Sequence, residues 1–315
     1  EDPDVVLAKI ELKNAIDGVQ SMLENCTGEI GYYTTDELPA LIATAQAVLD
    51  GGSKEVSAYT DALAAFNAGV GALAKVMPAK GQFYRFKHPT VDSYMLSDNY
   101  SSSKLAMGTL EQNMTSSVFY YTSEGALLSY AKGQYLPKAT QNANWVCLPV
   151  ASEPPIVTFG SGTTFGRVGF YIGDDSSRAY YSDRKTYVDA GGTFGSNAGY
   201  DWAVEKVTTL PVTITAAGYA TFFAPVAVQI PEGVEAYYTA EVDGKYITLT
   251  EIKGVIPANT GVILKGEANT YNFNITADAE AVVGNKLAGT CAAEYILEDA
   301  YVLSKVGKDV GMYKA

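Results

Sequence analysis

Phe83-Tyr84-Arg85-Phe86, followed by Ser93-Tyr94-Met95-Leu96-Ser97, is the phrase whose reading decides the fold, because it comes back twice. Val118-Phe119-Tyr120-Tyr121 precedes Gln134-Tyr135-Leu136, and Gly169-Phe170-Tyr171-Ile172 precedes Ala179-Tyr180-Tyr181-Ser182. The aligned tyrosines Tyr94, Tyr135 and Tyr180 stand 41 and 45 residues apart. Self-similarity at a period of roughly 40 residues means one supersecondary unit used repeatedly. Each unit reads as an aromatic strand, a turn, and a second strand that opens near a tyrosine.

Around these phrases, over residues 80–207, helix formers give way to Tyr, Ser, Gly and Thr, and twelve of the 23 tyrosines fall in this stretch. Short strands joined by turns are expected from that composition. Three such units predict a β-trefoil, a six-stranded barrel closed by three hairpins, in which closure removes edges that would otherwise aggregate. The paired phrases resemble the strands of trefoils in the ricin-B-type lectin group. That resemblance implies carbohydrate binding. The group's Gln-x-Trp signature is absent, since the two tryptophans occur as Asn144-Trp145 and Asp201-Trp202.

A pyranose has one apolar face and a ring of hydroxyls, so a sugar site pairs an exposed aromatic plate with planar polar side chains. Three groupings supply such parts: Asp92 and Tyr94 with Asn99 and Tyr100; Gln134 and Tyr135 with Gln141 and Asn142; and Asp174, Asp175 and Tyr180 with Arg178 and Asp183. Repeat phase also allows Tyr94, Tyr135 and Tyr180 to be threefold-related core residues, which leaves the loop polar groups as the contacts. Gly173-Asp174-Asp175-Ser176-Ser177 lacks the spacing of an EF-hand and reads as a solvated turn. Gly160-Ser161-Gly162-Thr163-Thr164-Phe165-Gly166 has no Lys-Ser/Thr after it, and reads as a turn rather than a phosphate cradle. No metal site and no cofactor is expected.

Upstream, residues 1–79 predict three amphipathic helices. Leu12, Ile16, Val19, Leu23 and Cys26 form one stripe, closed by Gly28 and Gly31. Thr35 is the expected cap of a second helix running through Leu38, Leu41, Ile42, Ala45, Val48 and Leu49 to Gly51-Gly52. Ser53 is the expected cap of a third, from Val56 through Tyr59, Leu63, Phe66 and Val70 to Met77, with Pro78 as the stop. Short loops make these an antiparallel bundle. The segment resembles the FIVAR modules of bacterial surface proteins, on Ala15-Ile16, Gly31-Tyr32-Tyr33-Thr34 and Ala45-Gln46-Ala47-Val48-Leu49, which implies a spacer or attachment element.

Downstream, Thr208-Thr209-Leu210-Pro211 reads as a linker into residues 208–315, where many short alternating runs predict an antiparallel β-sandwich. Asp243-Gly244 is a two-residue hairpin signal. Gly218-Tyr219-Ala220-Thr221-Phe222-Phe223-Ala224-Pro225, Ile230-Pro231-Glu232-Gly233-Val234 and Ile256-Pro257-Ala258-Asn259-Thr260-Gly261-Val262-Ile263-Leu264-Lys265 resemble a C-terminal module of secreted surface proteins of Bacteroides-type anaerobes. The resemblance implies a secreted or cell-surface, extracytoplasmic address. Val310-Gly311-Met312-Tyr313-Lys314-Ala315 reads as an unfinished strand, so this domain is expected to be truncated at its C-terminus. Glu1-Asp2-Pro3-Asp4 lacks an initiator Met, and an upstream leader is expected to have been removed.

A net charge of −13, from 22 Lys plus Arg against 35 Asp plus Glu, repels phosphate backbones and anionic lipid heads, so neither nucleic acid nor membrane insertion is expected. The three cysteines, Cys26, Cys147 and Cys291, read as buried small apolar residues. His88 is the chain's one histidine, and His88 with Cys147 is the one possible Cys–His pair. His88 precedes Pro89 in an expected exposed turn and Cys147 sits in an apolar run, which argues against a nucleophile–base couple. The composite expectation is a non-catalytic secreted or surface protein with three domains, a three-helix bundle, a β-trefoil and a β-sandwich, whose partner is a glycan or surface polysaccharide. The alternatives are an adhesive module that binds another protein without a sugar site, or an accessory region of a larger glycan-degrading enzyme.

Overall fold

The computed structural model describes residues 2–102, 104–139, 154–182, 185–243, 246–293 and 300–314. Its first part is three helices, α1 (Pro3–Val19), α2 (Glu37–Gly51) and α3 (Val56–Ala72). Val5, Ala8, Leu12 and Ile16 of α1 interlock with Ala45 of α2 and with Tyr59 and Phe66 of α3. Pro3 opens α1 behind Asp2, whose carboxylate accepts from the Asp4 N–H at 3.0 Å. The expected stripe beyond Val19 does not stay α-helical but tightens into a 3₁₀ turn at Gln20–Asn25. Asp36 rather than Thr35 caps α2, with the Thr35 hydroxyl donating to the Asp36 carboxylate at 2.8 Å. Gly52, at φ 61°, ends it as expected. α3 starts after Glu55 and stops at Ala72, short of Met77, because the following chain is pulled into pairing: Lys75 bridges Tyr33, and the Val76 N–H donates to Tyr32 O at 2.7 Å.

Among the described residues the central part holds ten strands: β1 (Gln82–Lys87), β2 (Tyr94–Ser101), β3 (Lys104–Gly108), β4 (Phe119–Tyr121), β5 (Leu127–Ser129), β6 (Val157–Ser161), β7 (Val168–Ile172), β8 (Tyr180–Tyr181), β9 (Tyr187–Ala190) and β10 (Ala203–Lys206). β1 pairs with both β4 and the last strand β10, and β4 pairs with β5. β6 pairs with β7, and Val168 and Trp202 exchange backbone hydrogen bonds of 3.0 and 2.8 Å that join β7 to the start of β10. The Val157 N–H donates to Gly125 O at 2.8 Å, which brings β6 to the entrance of β5. The six strands β1, β4, β5, β6, β7 and β10 therefore close a barrel. β2 with β3, and β8 with β9, are hairpins that cap it, joined to one another through β3 and β9. This connectivity is a β-trefoil. Phe86, Phe119, Leu127, Phe170, Tyr180 and Trp202 fill its centre.

The repeat has a different phase from the expected one in its second unit. Val118-Phe119-Tyr120-Tyr121 supplies the closing strand of the first unit, β4, and the second unit opens with the aliphatic Leu127–Ser129. Tyr94 pairs with Lys87 of β1 and Tyr135 bridges Leu128 of β5, whereas Tyr180 opens β8 and pairs with Ala190 of β9.

The third part is two four-stranded antiparallel sheets. Its strands are β11 (Thr209–Ile214), β12 (Tyr219–Phe222), β13 (Val228–Gln229), β14 (Val234–Asp243), β15 (Tyr246–Ile252), β16 (Val255–Ile256), β17 (Val262–Gly266) and β18 (Asn269–Ile275). The sheet orders are β11-β18-β13-β16 and β12-β17-β14-β15. Leu210, Val228, Ala236, Leu264 and Phe273 lie between them. Thr209-Leu210-Pro211, expected as a linker, is strand; β11 is a sheet edge, where a residue without an N–H is tolerated. Asp243 pairs with Tyr246 on either side of the predicted tight turn, whose Gly244 lies outside the described residues. The expected unfinished strand is β20 (Asp309–Lys314), and it pairs along its whole length with β19 (Tyr301–Val306).

Both junctions are packed. Phe165, in the loop between β6 and β7, stacks on Tyr32 (6.3 Å between ring centroids) and meets the edge of Tyr33 (5.4 Å), with the Lys75 ammonium 4.7 Å from its own centroid. The glycine-rich stretch read as a free turn is thus the seat of the helical bundle. At the other end, Phe83, Val118 and Val207 of the trefoil share one core with the sandwich, and the Ala293 N–H donates to Gly133 O at 2.6 Å.

Candidate functional site

The eight residues singled out in sequence are placed as follows. Tyr94 and Tyr180 are buried, 4% and 0% exposed, so they are barrel residues and not sugar plates. The Tyr180 hydroxyl donates to Pro137 O at 2.5 Å, and that of Tyr94 to Glu205 at 3.3 Å. Burial pushes the Tyr94 phenol up. Tyr135 is half-buried on its bridge to Leu128, beside half-buried Gln134. Asp92 is exposed and pairs with Lys87 at 2.9 Å, a bond that holds the Lys87 ammonium above its ordinary value. Asp174 pairs with Lys138, and that hydrogen bond keeps its carboxyl below the usual carboxylate range. Asp175 accepts from the Ser177 N–H and hydroxyl at 3.0 and 2.5 Å, closing its own turn. Asn142 lies outside the described residues, as do Gln141, Asp183, Trp145 and Cys147. The described ones among these side chains are not gathered around one depression.

The structure gathers others. β3 pairs with β9 through Leu105↔Val188 and Ala106↔Tyr187. Leu105 and Val188 are fully buried, so strand alternation turns their neighbours Lys104, Tyr187 and Asp189 to the opposite face. Tyr100, at the end of β2 and 56% exposed, meets Tyr187 with ring centroids 5.2 Å apart and planes tilted by 35°. The Lys104 ammonium lies 4.4 Å from the Tyr187 centroid and pairs with Asp189. Asp189 is held further by the Ala190 N–H at 3.0 Å. Asn99 stands exposed next to Tyr100. The result is a two-ring aromatic plate of exposed Tyr100 and half-buried Tyr187, beside the exposed Asn99 amide and backed by a Lys104–Asp189 ion pair whose carboxylate is buried, where the β2–β3 hairpin meets β9.

Asn99 and Tyr100 belong to the first grouping read from sequence. Tyr187, Lys104 and Asp189 were missed, because Tyr187 is 87 positions from Tyr100 and only the β3–β9 pairing joins them. The signal available was a tyrosine at a strand start beside polar turn residues.

His88 is 7% exposed, buried where an exposed turn was expected. Its Nδ1 accepts from the Thr90 N–H at 3.1 Å, and burial, with Lys185 nearby, lowers its pKa. Cys26 and Cys291 are free thiols, half-buried and not the buried residues expected. Burial raises both, Cys291 to about 11. Among the described residues no group of three His, Cys, Asp or Glu side chains is placed to hold a metal ion, and no helix is long and apolar enough to cross a membrane.

No protein-family model matches the chain, and no curated protein matches it. Among solved structures it is similar to the Macrolepiota procera ricin B-like lectin, a complex with lactose, at 11% identity and a TM-score of 0.35, with 42% of this chain covering 100% of that one. It is also similar to a mosquitocidal holotoxin at 10% identity and a TM-score of 0.35, covering 58% of this chain and 23% of the toxin.

Proposed function

We propose that the chain is a non-catalytic, extracytoplasmic glycan-binding protein, with the Tyr100–Tyr187 plate as its sugar contact. The observation that carries this reading is the tilted ring pair of exposed Tyr100 and half-buried Tyr187, with exposed Asn99 beside it. Tyrosine faces pack on the apolar side of a pyranose, and the rim supplies donors and acceptors for its hydroxyls. Asp189 already neutralises Lys104, and the chain's net charge of −13 disfavours acidic saccharides, so neutral hexoses are the preferred class. The non-catalytic part rests on the burial of His88 and the engagement of its ring nitrogen by Thr90. The address rests on the sequence resemblance of the third segment.

The test is a glycan array probed with the whole chain, followed by calorimetric titration of the strongest neutral glycan. Tyr100→Ala and Tyr187→Ala should each weaken binding by roughly tenfold, the scale of one aromatic contact. A blank array, or variants that bind like the parent, would overturn the proposal.

A further inference from the structure

β2 and β3 do not pair regularly. Asn99 stands opposite Leu105 and Ser101 opposite Lys104, so two steps along β2 answer one step along β3, and Tyr100 is the extra residue. Such a bulge bends its strand and re-aims a side chain, and bulges are over-represented beside functional sites. Here the re-aimed side chain is the exposed ring that meets Tyr187. On the other side of β3 the backbone ladder to β9 is short, with Leu105↔Val188 and Ala106↔Tyr187 as its register pairs. Continued by one residue, that register sets Lys104 against Asp189, and there the two side chains form the ion pair.

Lys104 therefore sits where the two halves of the plate join. It stands opposite the bulge that carries Tyr100. Asp189 is its cross-strand partner, and Tyr187, two residues earlier on β9, is the diagonal neighbour on the same face, its ring centroid 4.4 Å from the ammonium. The Asp189 side chain is only 9% exposed. A carboxylate so covered holds its counter-ion firmly, because parting from it would leave a charge with neither water nor a partner. The Ala190 N–H anchors the same carboxylate at 3.0 Å. We infer that Lys104 is a positioning residue of the Tyr100–Tyr187 plate, a role that rests on the glycan-binding reading above: its ammonium locks the bulge of β2 against β9 and so presents the two rings at a fixed tilt, acting on the sugar through Tyr100 and Tyr187.

The experiment reads the rings both without and with a ligand. With meta-fluorotyrosine incorporated into the whole chain, the Tyr100 fluorine resonance, assigned by its loss in Tyr100→Phe, should move in Tyr187→Ala, because the two ring centroids are 5.2 Å apart. Lys104→Met keeps the apolar stem and drops the charge. It should carry the Tyr100 resonance most of the way to its Tyr187→Ala position, and Lys104→Arg should return it. In calorimetric titration with the strongest neutral glycan of the array, Lys104→Met should bind roughly tenfold more weakly than the parent, as expected for loss of either ring, and Lys104→Arg should restore the affinity. Added to Tyr100→Ala, Lys104→Met should cost less than about twofold more, since residues acting as one unit are not additive. Lys104→Met with Asp189→Asn leaves no buried charge unpaired, so this pair keeps the test open where the single variant does not fold, and it should reproduce the moved resonance and the weakened binding. An unmoved Tyr100 resonance in these variants, or full additivity with Tyr100→Ala, would overturn the role of Lys104. A parent chain that binds no glycan would overturn the glycan reading instead, and the resonance would then decide the ring positioning by itself.

Discussion

Replacing Gly31 by alanine should detach the helical bundle from the trefoil. Gly31 has φ +85°, and a Cβ built on it would stand 2.5 Å from Arg167 N, 2.7 Å from Gly166 C and 2.9 Å from Gly166 Cα. All three are backbone atoms, so no side chain can swing aside. The left-handed conformation costs an L-residue roughly 1–2 kcal/mol, and forcing a methyl into a filled contact adds about 1–3 kcal/mol. If the two loops separate to relieve the clash, the hydrogen bond from the Gly166 N–H to Gly31 O (3.1 Å) goes as well, worth about 1 kcal/mol. The sum is about 3–6 kcal/mol, and the contacts at stake beyond it are those of Phe165 with Tyr32, Tyr33 and Lys75. The assay is scanning calorimetry with limited trypsin digestion. The parent should melt with the bundle coupled to the barrel and resist cleavage at Lys75 and Arg167, whereas Gly31→Ala should show an earlier, separate bundle transition and fast cleavage there. Gly18→Ala is the control: nothing lies within 4 Å of its Cβ position on α1, and it should be neutral or stabilising by up to ~1 kcal/mol. If Gly31→Ala melts and digests like the parent, the glycine contact does not hold the junction.

His88 has a lowered pKa in the fold, so the folded state binds fewer protons than the unfolded chain between the folded value and the ordinary 6.5. Its contribution is full above pH 6.5 and is lost as pH falls toward the folded value; urea midpoints from pH 8 to 5 should decline in that window, and His88→Asn should flatten the decline, an unchanged slope counting against the argument. Trp202 is fully buried and its indole N–H donates to Tyr180 O at 3.0 Å. Trp202→Ala should cost about 3–5 kcal/mol in chemical denaturation, and a loss under ~1 kcal/mol would contradict its place at the centre of the barrel. With the thiol of Cys291 raised to about 11, a variant carrying Cys26→Ser and Cys147→Ser should react slowly with a disulfide reagent at pH 8 until denaturant is added; equal rates in native and unfolded protein would show that Cys291 is not covered.

The barrel was legible in sequence because threefold repetition leaves a mark that no single strand needs to carry. Tyr94 and Tyr180 open the hairpins β2–β3 and β8–β9 and Tyr135 follows β5, so their spacing marks the three units. The phase of the second unit was not legible, since a first and a fourth barrel strand bury the same alternating face: Phe119 and Tyr121 point inward in β4 just as Tyr84 and Phe86 do in β1. What distinguishes them is the partner, and pairing is absent from a one-dimensional pattern. The same limit hid the Tyr100–Tyr187 pair. A repeat-based reading favours residues that recur, and recurring residues are the ones the barrel buries, as Tyr94 and Tyr180 show. A ligand plate must break the symmetry to be exposed, so Tyr100 and Tyr187 come from different strands of different units and meet only because β3 lies beside β9. The loop of residues 160–166 argues the same way. Its glycines announced a turn, but the reason for Gly166 is the ring of Tyr32, whose atoms would lie 2.7 Å from a Cβ there. In this chain, then, periodicity encodes the interior, and the contacts between units and between domains, where the Tyr100–Tyr187 pair and the bundle junction lie, are carried by residues that periodicity passes over.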